Sequence, residues 1–307
     1  AVPMTLVVCK QLNVSPVPFI LSQVFASNIG GAATLVGDPP NIIIASRANL
    51  SFNDFLVHMA PWVIVVMMVI TPMLVFMFRK ELVNTAADRA RIDKLDEKSY
   101  LKDKVLLKKS LFVLGAVMIA FVLHTALHLE PSIVAMLGAG VLVGISRLKP
   151  KDYAMDVEWG TLVFFAGLFI MVGALVKTGA LGEFADFLKD QVDDQASLAA
   201  MVLLFVSAIL SGVVDNIPYV ASMSPVVTEL AANVSDKHGD VLWWSLAFGA
   251  DFGGNATIIG ASANVVAIGL AHKAGVKISF WQFAKYGIPV TLVSILLVAP
   301  YILIRYF

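Results

Sequence analysis

Apolar runs of membrane-spanning length recur from one end of the chain to the other, and no other feature constrains its fold as strongly. Residues 61–78, 110–129 and 288–304 are nearly continuous apolar stretches, each at or near the roughly 20 residues that an α-helix needs to cross a bilayer. Backbone amides and carbonyls inside hydrocarbon must be satisfied internally, which leaves helices and closed barrels. Barrel strands alternate polar and apolar residues in segments of about ten, and these runs do not alternate. The chain is 59% hydrophobic and 14% charged, with a mean hydropathy of +0.84, whereas soluble domains average about 25% charged. The fold class that follows is an all-α polytopic membrane protein embedded in a lipid bilayer.

Twenty-two Lys and Arg balance twenty-two Asp and Glu, so no basic surplus argues for a nucleic-acid partner. Cys9 is the only cysteine, which excludes a disulfide framework or a thiolate metal cluster within one chain. Residues 1–10 lack the charged start and cleavage pattern of a signal peptide. They read as the second half of an apolar element, and the expectation is of an N-terminally incomplete chain. Residues 79–109 carry ten Lys/Arg against six Asp/Glu, which places this stretch in the cytoplasm as a solvated linker. From it, spans 110–129 and 131–145 run out and back around Glu130-Pro131 and return to the basic Arg147, Lys149 and Lys151. A third span runs from Trp159 to about Val176. Residues 179–195, acidic and amphipathic, are expected at the outer interface.

The chain also repeats itself. Asn28-Ile-Gly-Gly-Ala-Ala-Thr-Leu-Val-Gly-Asp-Pro-Pro-Asn41 aligns without a gap to Asp251-Phe-Gly-Gly-Asn-Ala-Thr-Ile-Ile-Gly-Ala-Ser-Ala-Asn264, at an offset of 264 − 41 = 223. Six positions are identical: Gly30/Gly253, Gly31/Gly254, Ala33/Ala256, Thr34/Thr257, Gly37/Gly260 and Asn41/Asn264. The likeness extends to Ser51-Phe52 and Ser279-Phe280, each leading into a long apolar span. The span count runs the first copy from inside to outside and the second from outside to inside, the inverted-repeat arrangement of secondary transporters. Paired glycines, and Asp38-Pro39-Pro40 in the first copy, cannot continue a regular helix, so both copies are expected to be broken helices. Unwound backbone at membrane depth is tolerated where it is buried in protein or lines a cavity, and its free amides and carbonyls suit an ion or substrate site.

A second polar cluster, Ser211-Gly212-Val-Val-Asp215-Asn216-Ile217-Pro218, lies between short apolar flanks at 198–210 and 219–232, the pattern of a re-entrant hairpin with its tip at 215–218. About the same offset sets Ser224-Pro225-Val-Val-Thr228 opposite Val2-Pro3-Met-Thr5, making residues 1–12 the returning arm of an equivalent first hairpin. Asp38, Asp215 and Asp251 all fall at membrane depth, where a carboxylate costs roughly 2.5–3.5 kcal/mol and marks ion pathways or proton relays. Glu229 is expected near the outer mouth of the hairpin. His124 and His128, at i, i+4 spacing beside Glu130, are expected at the interface rather than on a metal, and Trp243 and Trp244 fit an aromatic belt. The candidate ion and substrate residues are therefore Asn28, Gly30, Gly31, Thr34, Gly37, Asp38 and Asn41, with Asp215 and Asn216 at the tip. The second copy adds Asp251, Gly253, Gly254, Asn255, Thr257, Gly260 and Asn264. A sodium ion is expected, if one binds, among Asp38, Asn41, Asp215, Asn216 and Asn264.

These motifs, together with Val157-Glu-Trp-Gly-Thr-Leu-Val-Phe-Phe165, resemble the ion transporter superfamily along essentially the whole chain. The resemblance is closest to the branch of arsenite permeases, NhaD-type sodium/proton antiporters, CitMHS-type permeases and the melanosomal P protein. It implies an elevator-type transporter, in which a scaffold domain holds a homodimer and a transport domain carries a site built from two hairpin tips and two broken helices. On that plan residues 1–47 and 198–272 supply the transport domain. Residues 48–78 and 273–307 are flanking spans, 79–109 the cytoplasmic linker and 110–197 the scaffold helices of the second repeat. Sodium-coupled dicarboxylate relatives carry Ser-Asn-Thr at each tip, whereas this tip reads Asp215-Asn216-Ile217, a departure at two of three positions.

The expected function is secondary active transport of a small ion, with H+ or Na+ as coupling ion, no other cofactor and no enzymatic activity. A sodium/proton antiporter fits easily. Three acids with no core Arg or Lys argue against a multiply charged anion bound without a counter-cation. Arsenious acid, mostly uncharged at neutral pH, fits as well, although one cysteine excludes a multi-thiolate arsenic site. A channel is the alternative from another class, since hairpins and free carbonyls also build filters. Nucleophile-elbow, zinc-protease and nucleotide-loop signatures are absent from the sequence. A bacterial inner membrane is the expected location.

Overall fold

The computed structural model describes residues 2–81, 103–146, 149, 154, 157, 159–179, 195–233 and 239–307, and their regular structure is entirely helical. In chain order the helices are α1 (Val2–Leu12), α2 (Val17–Gly31), α3 (Pro39–Ala48), α4 (Phe52–His58), α5 (Ala60–Phe78), α6 (Lys104–Leu127) and α7 (Pro131–Ser146). There follow α8 (Trp159–Thr178), α9 (Ala196–Val213), α10 (Asn216–Asn233), α11 (Gly239–Gly253), a 3₁₀ turn at Ile258–Gly260, α12 (Ser262–Lys273) and α13 (Phe280–Tyr306). Most of the expected linker, and residues 180–194 of the expected amphipathic stretch, lie outside the described residues.

Helix boundaries follow local chemistry. Ser51 and Ser279, the paired positions noted above, both sit in extended backbone as N-caps: Ser51 Oγ accepts from Asp54 N at 3.2 Å, and Ser279 Oγ accepts from Gln282 N at 3.1 Å. Such caps satisfy amides left free at a helix start and are worth about 1 kcal/mol each. Asp103 caps α6 through Val105 N and Leu106 N. His128 ends α6 in the left-handed region, with φ 52°, and Pro131 opens α7, so the expected turn at Glu130-Pro131 is present.

Among the described residues, four helices, α5, α6, α9 and α13, are long and apolar enough to cross a membrane by length and composition. The expected arms of the second hairpin are longer in the structure: α9 covers 18 residues because Ser211, Gly212 and Val213 continue its helix, and the break narrows to Val214 and Asp215. The break overlaps the expected tip, residues 215–218, at Asp215 alone, since Asn216, Ile217 and Pro218 form the first turn of α10.

The core centres on α11, whose residues Val241–Gly253 are all buried. Helix α9 packs most extensively on it, because α11 presents glycine at the contact. A Cβ on Gly253 would stand 2.5 Å from Ala208 O and 2.8 Å from Ala208 Cα, distances that only a missing side chain permits. Aromatic packing surrounds this pair: Phe25 meets Phe283 edge-on at 5.2 Å, and Phe55 meets Trp244 at 5.2 Å, contacts worth about 0.5–1.5 kcal/mol beyond area burial. The hairpin of α6 and α7 packs chiefly on itself and joins the rest through α4, where Phe52 stacks on Phe121. Its outward residues are apolar and exposed, Phe112 at 76% and Met136 at 74%, as lipid-facing helices require.

One sequence expectation is corrected here. Trp243 and Trp244 are not an interfacial belt: they are 4% and 1% exposed, within the core, with Trp244 stacked on His58. His124 Nε2 receives Phe52 N at 3.1 Å, which joins α6 to α4, and His124 and His128 together line a cavity of about 700 Å³ beside Glu130.

Candidate functional site

The first repeat breaks its helix between Gly31 and Pro39, the second between Gly253 and Ser262. Local chemistry explains both. Pro39 and Pro40 occupy the first turn of α3, where a missing N–H costs nothing and φ is already helical. Asp38 precedes them as N-cap in extended backbone, with no side-chain cap bond. With prolines at the first two positions, few amides remain for it to cap, and its carboxylate is left for other partners.

The two breaks fold alike. Backbone bonds Ala33 N→Gly30 O, Gly37 N→Thr34 O and Asn41 N→Asp38 O recur, at the 223-residue offset, as Ala256 N→Gly253 O, Gly260 N→Thr257 O and Asn264 N→Ala261 O. In each, an asparagine at the start of the second helix reaches back to pin the loop. Asn41 Nδ2 donates to Gly31 O at 3.4 Å and Thr34 O at 3.2 Å; Asn264 Nδ2 donates to Gly254 O at 2.7 Å and Thr257 O at 2.8 Å. The glycines let the loop close. A Cβ on Gly31 would stand 3.0 Å from Gly37 O, and one on Gly254 would stand 3.0 Å from Gly260 O. The sequence repeat is thus also a repeat of local structure.

Across the molecule the two breaks meet through buried amides. Asn28 Nδ2 donates to Asn255 Oδ1 at 3.0 Å and Asn264 Oδ1 at 2.9 Å. Asn28, Asn41, Asn255, Asn264 and Asp251 are each at most 3% exposed. Burying so many polar groups is costly unless each finds a partner, and among these atoms Asn41 Oδ1, Asn255 Nδ2 and both Asp251 oxygens have none.

The α9–α10 break supplies the third wall. Asp215 Oδ1 accepts from Ile217 N at 3.0 Å, starting α10, while its Oδ2 accepts from Ser262 Oγ at 2.7 Å. Asn216 Nδ2 donates to Asp38 Oδ2 at 3.4 Å. The tip therefore touches both broken helices, one at Asp38 and the other at Ser262. Ser211 Oγ to Ala250 O and Thr257 Oγ1 to Gly212 O, each at 2.7 Å, fasten the tip helix to α11 and its loop. An open cleft of about 370 Å³ between α1, α2 and α12 reaches Ser262.

The structure brings the polar candidates of the two breaks and the α9–α10 break together through the bonds above; Gly31, Thr34 and Gly37 shape their own loop, Gly30 lies exposed at the end of α2 with no close neighbour, and Gly253 serves helix packing. The five residues named for sodium divide: Asp38 and Asn216 are paired, Asp215 is held by Ser262, Asn264 is engaged on both its oxygen and its nitrogen, and Asn41 retains a free oxygen. Glu229 is exposed on the last third of α10. Ser262 was missed by the sequence reading, although it stands inside the second copy, opposite Pro39, where its polarity against a proline marks a difference between the repeats.

The model of the CitMHS family, described as citrate transporter, matches residues 1–249. A 46 kDa membrane protein of Mycobacterium leprae is 52% identical over 305 residues, covering 99% of this chain and 71% of that protein. An uncharacterized transporter of Synechocystis is 32% identical over 320 residues, covering 95% of this chain and 69% of that protein. The human P protein is 32% identical over 382 residues, covering 99% of this chain and 46% of that protein. With its apolar spanning helices, the chain is an integral membrane protein, and it belongs to the CitMHS citrate transporter family of the ion transporter superfamily.

Proposed function

We propose that this protein is a secondary active transporter of a small ion, coupled to protons or sodium, whose site lies between the α2–α3 break, the α9–α10 tip and the α11–α12 break. The observation that carries the reading is the contact of one tip with both broken helices, through Asn216 to Asp38 and Asp215 to Ser262. Neither element alone forms a closed cage. Relative movement of the tip or of the helix pair would open the site to one side and then the other.

The two breaks belong to inverted repeats in this reading, and α2, α3 and α9–α12 form a transport unit that moves against a scaffold containing α6, α7 and α8. That scaffold also holds the homodimer. The slight attachment of the α6–α7 hairpin, chiefly through Phe52, Phe121 and His124, suits a unit that slides past its neighbours. A bacterial inner membrane is the proposed location.

The family description names citrate as cargo. The candidate site offers carboxylates and amides and no Lys or Arg among its residues, so a polycarboxylate would have to arrive with cations that offset its charge. Sodium/proton antiport is the second reading, favoured by the same run of acids, Asp38, Asp215 and Asp251.

The test uses everted vesicles containing the full-length protein and a pH-sensitive dye, with sodium, citrate or citrate plus a divalent cation added in turn. Saturable, solute-dependent proton movement that Asp38→Asn diminishes is the expected result. Correctly inserted protein that responds to none of these solutes would turn the reading aside.

A further inference from the structure

His124 is held by two backbone groups that between them fix its protonation state. Its Nδ1 donates to Leu129 O at 3.2 Å, and its Nε2 accepts from Phe52 N at 3.1 Å. A carbonyl only accepts and an amide only donates, so both bonds exist together in a single form of the ring: neutral, with the proton on Nδ1 and Nε2 bare. The first bond is internal to the α6–α7 hairpin, across the turn that follows α6. The second crosses to α4, whose first amides have no carbonyl behind them. Ser51 Oγ caps Asp54 N, and His124 takes the Phe52 amide. Phe52 is 1% exposed, so its amide depends on that acceptor.

We propose that His124 is a pH-operated latch: the neutral ring ties the α6–α7 hairpin to α4, and a proton arriving at Nε2 through the cavity beside it releases the Phe52 amide. An imidazolium has two N–H groups and no acceptor, so Nε2–H would meet Phe52 N–H head on. A substitute partner stands next to the ring, since Thr125 Oγ1 lies 3.4 Å from Nε2 and a hydroxyl accepts as readily as it donates. The route for the proton is the cavity of about 700 Å³ lined by His124, Thr125, His128, Glu130 and Ser132, the last three of them exposed. Once released, α4 keeps the bond from Asn53 Nδ2 to Val122 O at 2.9 Å and the Phe52–Phe121 stack at 5.4 Å. The hairpin therefore stays attached while the joint loosens at the start of α4.

The charged groups around the ring are few. From the turn, His128 and Glu130 share the cavity wall, with the Glu130 carboxylate as a counter-charge in the same space. On α4, Asp54 is committed to Ser51, accepting from its N at 2.6 Å and its Oγ at 2.7 Å, and His58 at the far end meets Tyr306. Helix α3 carries Arg47, which stands apart from the residues lining the cavity. Helices α5 and α7 carry no titratable side chain, and the lysines of α6 lie at its opposite end. The latch is closed at high pH, where Nε2 is bare, and opens as pH falls and the ring takes its proton. His272, in the second repeat, differs. Its Nε2 accepts from Ile278 N at 3.2 Å but also lies 3.1 Å from Ile278 O, so a proton there exchanges one partner for the other within a single joint. The latch rests on these bonds and not on the transporter reading.

Hydrogen exchange of the full-length protein in lipid tests the latch, read as protection of the Phe52 amide after correction for the intrinsic pH dependence of exchange. Wild type should be protected at about pH 8 and lose roughly tenfold in protection by about pH 5.5, across the range in which histidine changes charge. His124→Gln keeps an oxygen to accept from Phe52 and has no proton to take, so its profile should stay flat at the protected level. His124→Leu should stay flat at the unprotected level, and His128→Gln should titrate as wild type does. Solid-state nitrogen NMR of histidine-labelled wild type gives a reading that needs no variant: at the alkaline end an imidazole should carry its proton on Nδ1 with Nε2 bare. A wild-type exchange profile without a step overturns the proposal, as does a step that survives in His124→Gln, or the absence of any Nδ1-protonated neutral ring from the alkaline spectrum.

Discussion

Replacing Asn264 by alanine should destabilise the second broken helix by an amount that the geometry sets. The side chain is 0% exposed and makes three hydrogen bonds: to Gly254 O at 2.7 Å, to Thr257 O at 2.8 Å, and from Asn28 Nδ2 at 2.9 Å. Asn28 keeps a second acceptor in Asn255 Oδ1, so its loss is partial. Two backbone carbonyls of an unwound segment would lose this buried donor, at about 1–3 kcal/mol each. Water entering the space left by the amide recovers part of this, and a net cost of about 2–4 kcal/mol follows. For a protein of this size that corresponds to a fall in melting temperature of roughly 3–6 °C. Thermal unfolding in detergent, followed by intrinsic fluorescence, measures it. The sister variant Asn41→Ala should cost about half as much, because its bonds are longer, 3.4 and 3.2 Å, and its oxygen has no partner to lose. If Asn264→Ala melts within about 1 °C of wild type, or if Asn41→Ala proves the more damaging, the pinning argument is wrong.

Other consequences are as open to measurement. Gly253→Ala forces α9 away from α11, since the added Cβ meets Ala208 backbone at 2.5–3.0 Å; overpacking of this kind costs about 1–3 kcal/mol, whereas Gly30→Ala, with open space around it, should melt close to wild type. His124→Leu leaves the Phe52 amide without its acceptor and should loosen α4 from α6, seen as faster amide exchange at the start of α4. Asp38→Asn should insert and fold normally, because Asp38 caps nothing and its hydrogen-bond contact, Asn216, lies in the same polar cluster; ion-coupled flux should fall, and unaltered coupling would remove Asp38 from the mechanism.

Much of the local architecture was legible in the sequence because backbone chemistry dictated it. Paired glycines and Pro39-Pro40 announced the breaks at 32–38 and 254–261, and Asp215 with Asn216 marked the break between α9 and α10. What could not be read depended on contacts across the chain. Asn28 and Asn264 are 236 positions apart, and no local pattern announces that their side chains meet. Ser262 carries no local signal of its contact with Asp215, 47 positions away. Trp243 and Trp244 misled because aromatic pairs near the end of an apolar stretch occur both at interfaces and in cores, and only the packing of α11 within its ring of helices decides.

The measurement that bears most directly on the account is solute exchange in proteoliposomes of the full-length protein. Labelled solute entering vesicles is followed with and without unlabelled solute inside, across a proton or sodium gradient, for wild type and Asp38→Asn. Alternating access through the three-part site predicts saturable uptake that internal solute accelerates and that Asp38→Asn weakens. Uptake that rises linearly with concentration, ignores internal solute and follows only the electrical potential would contradict it and identify a channel.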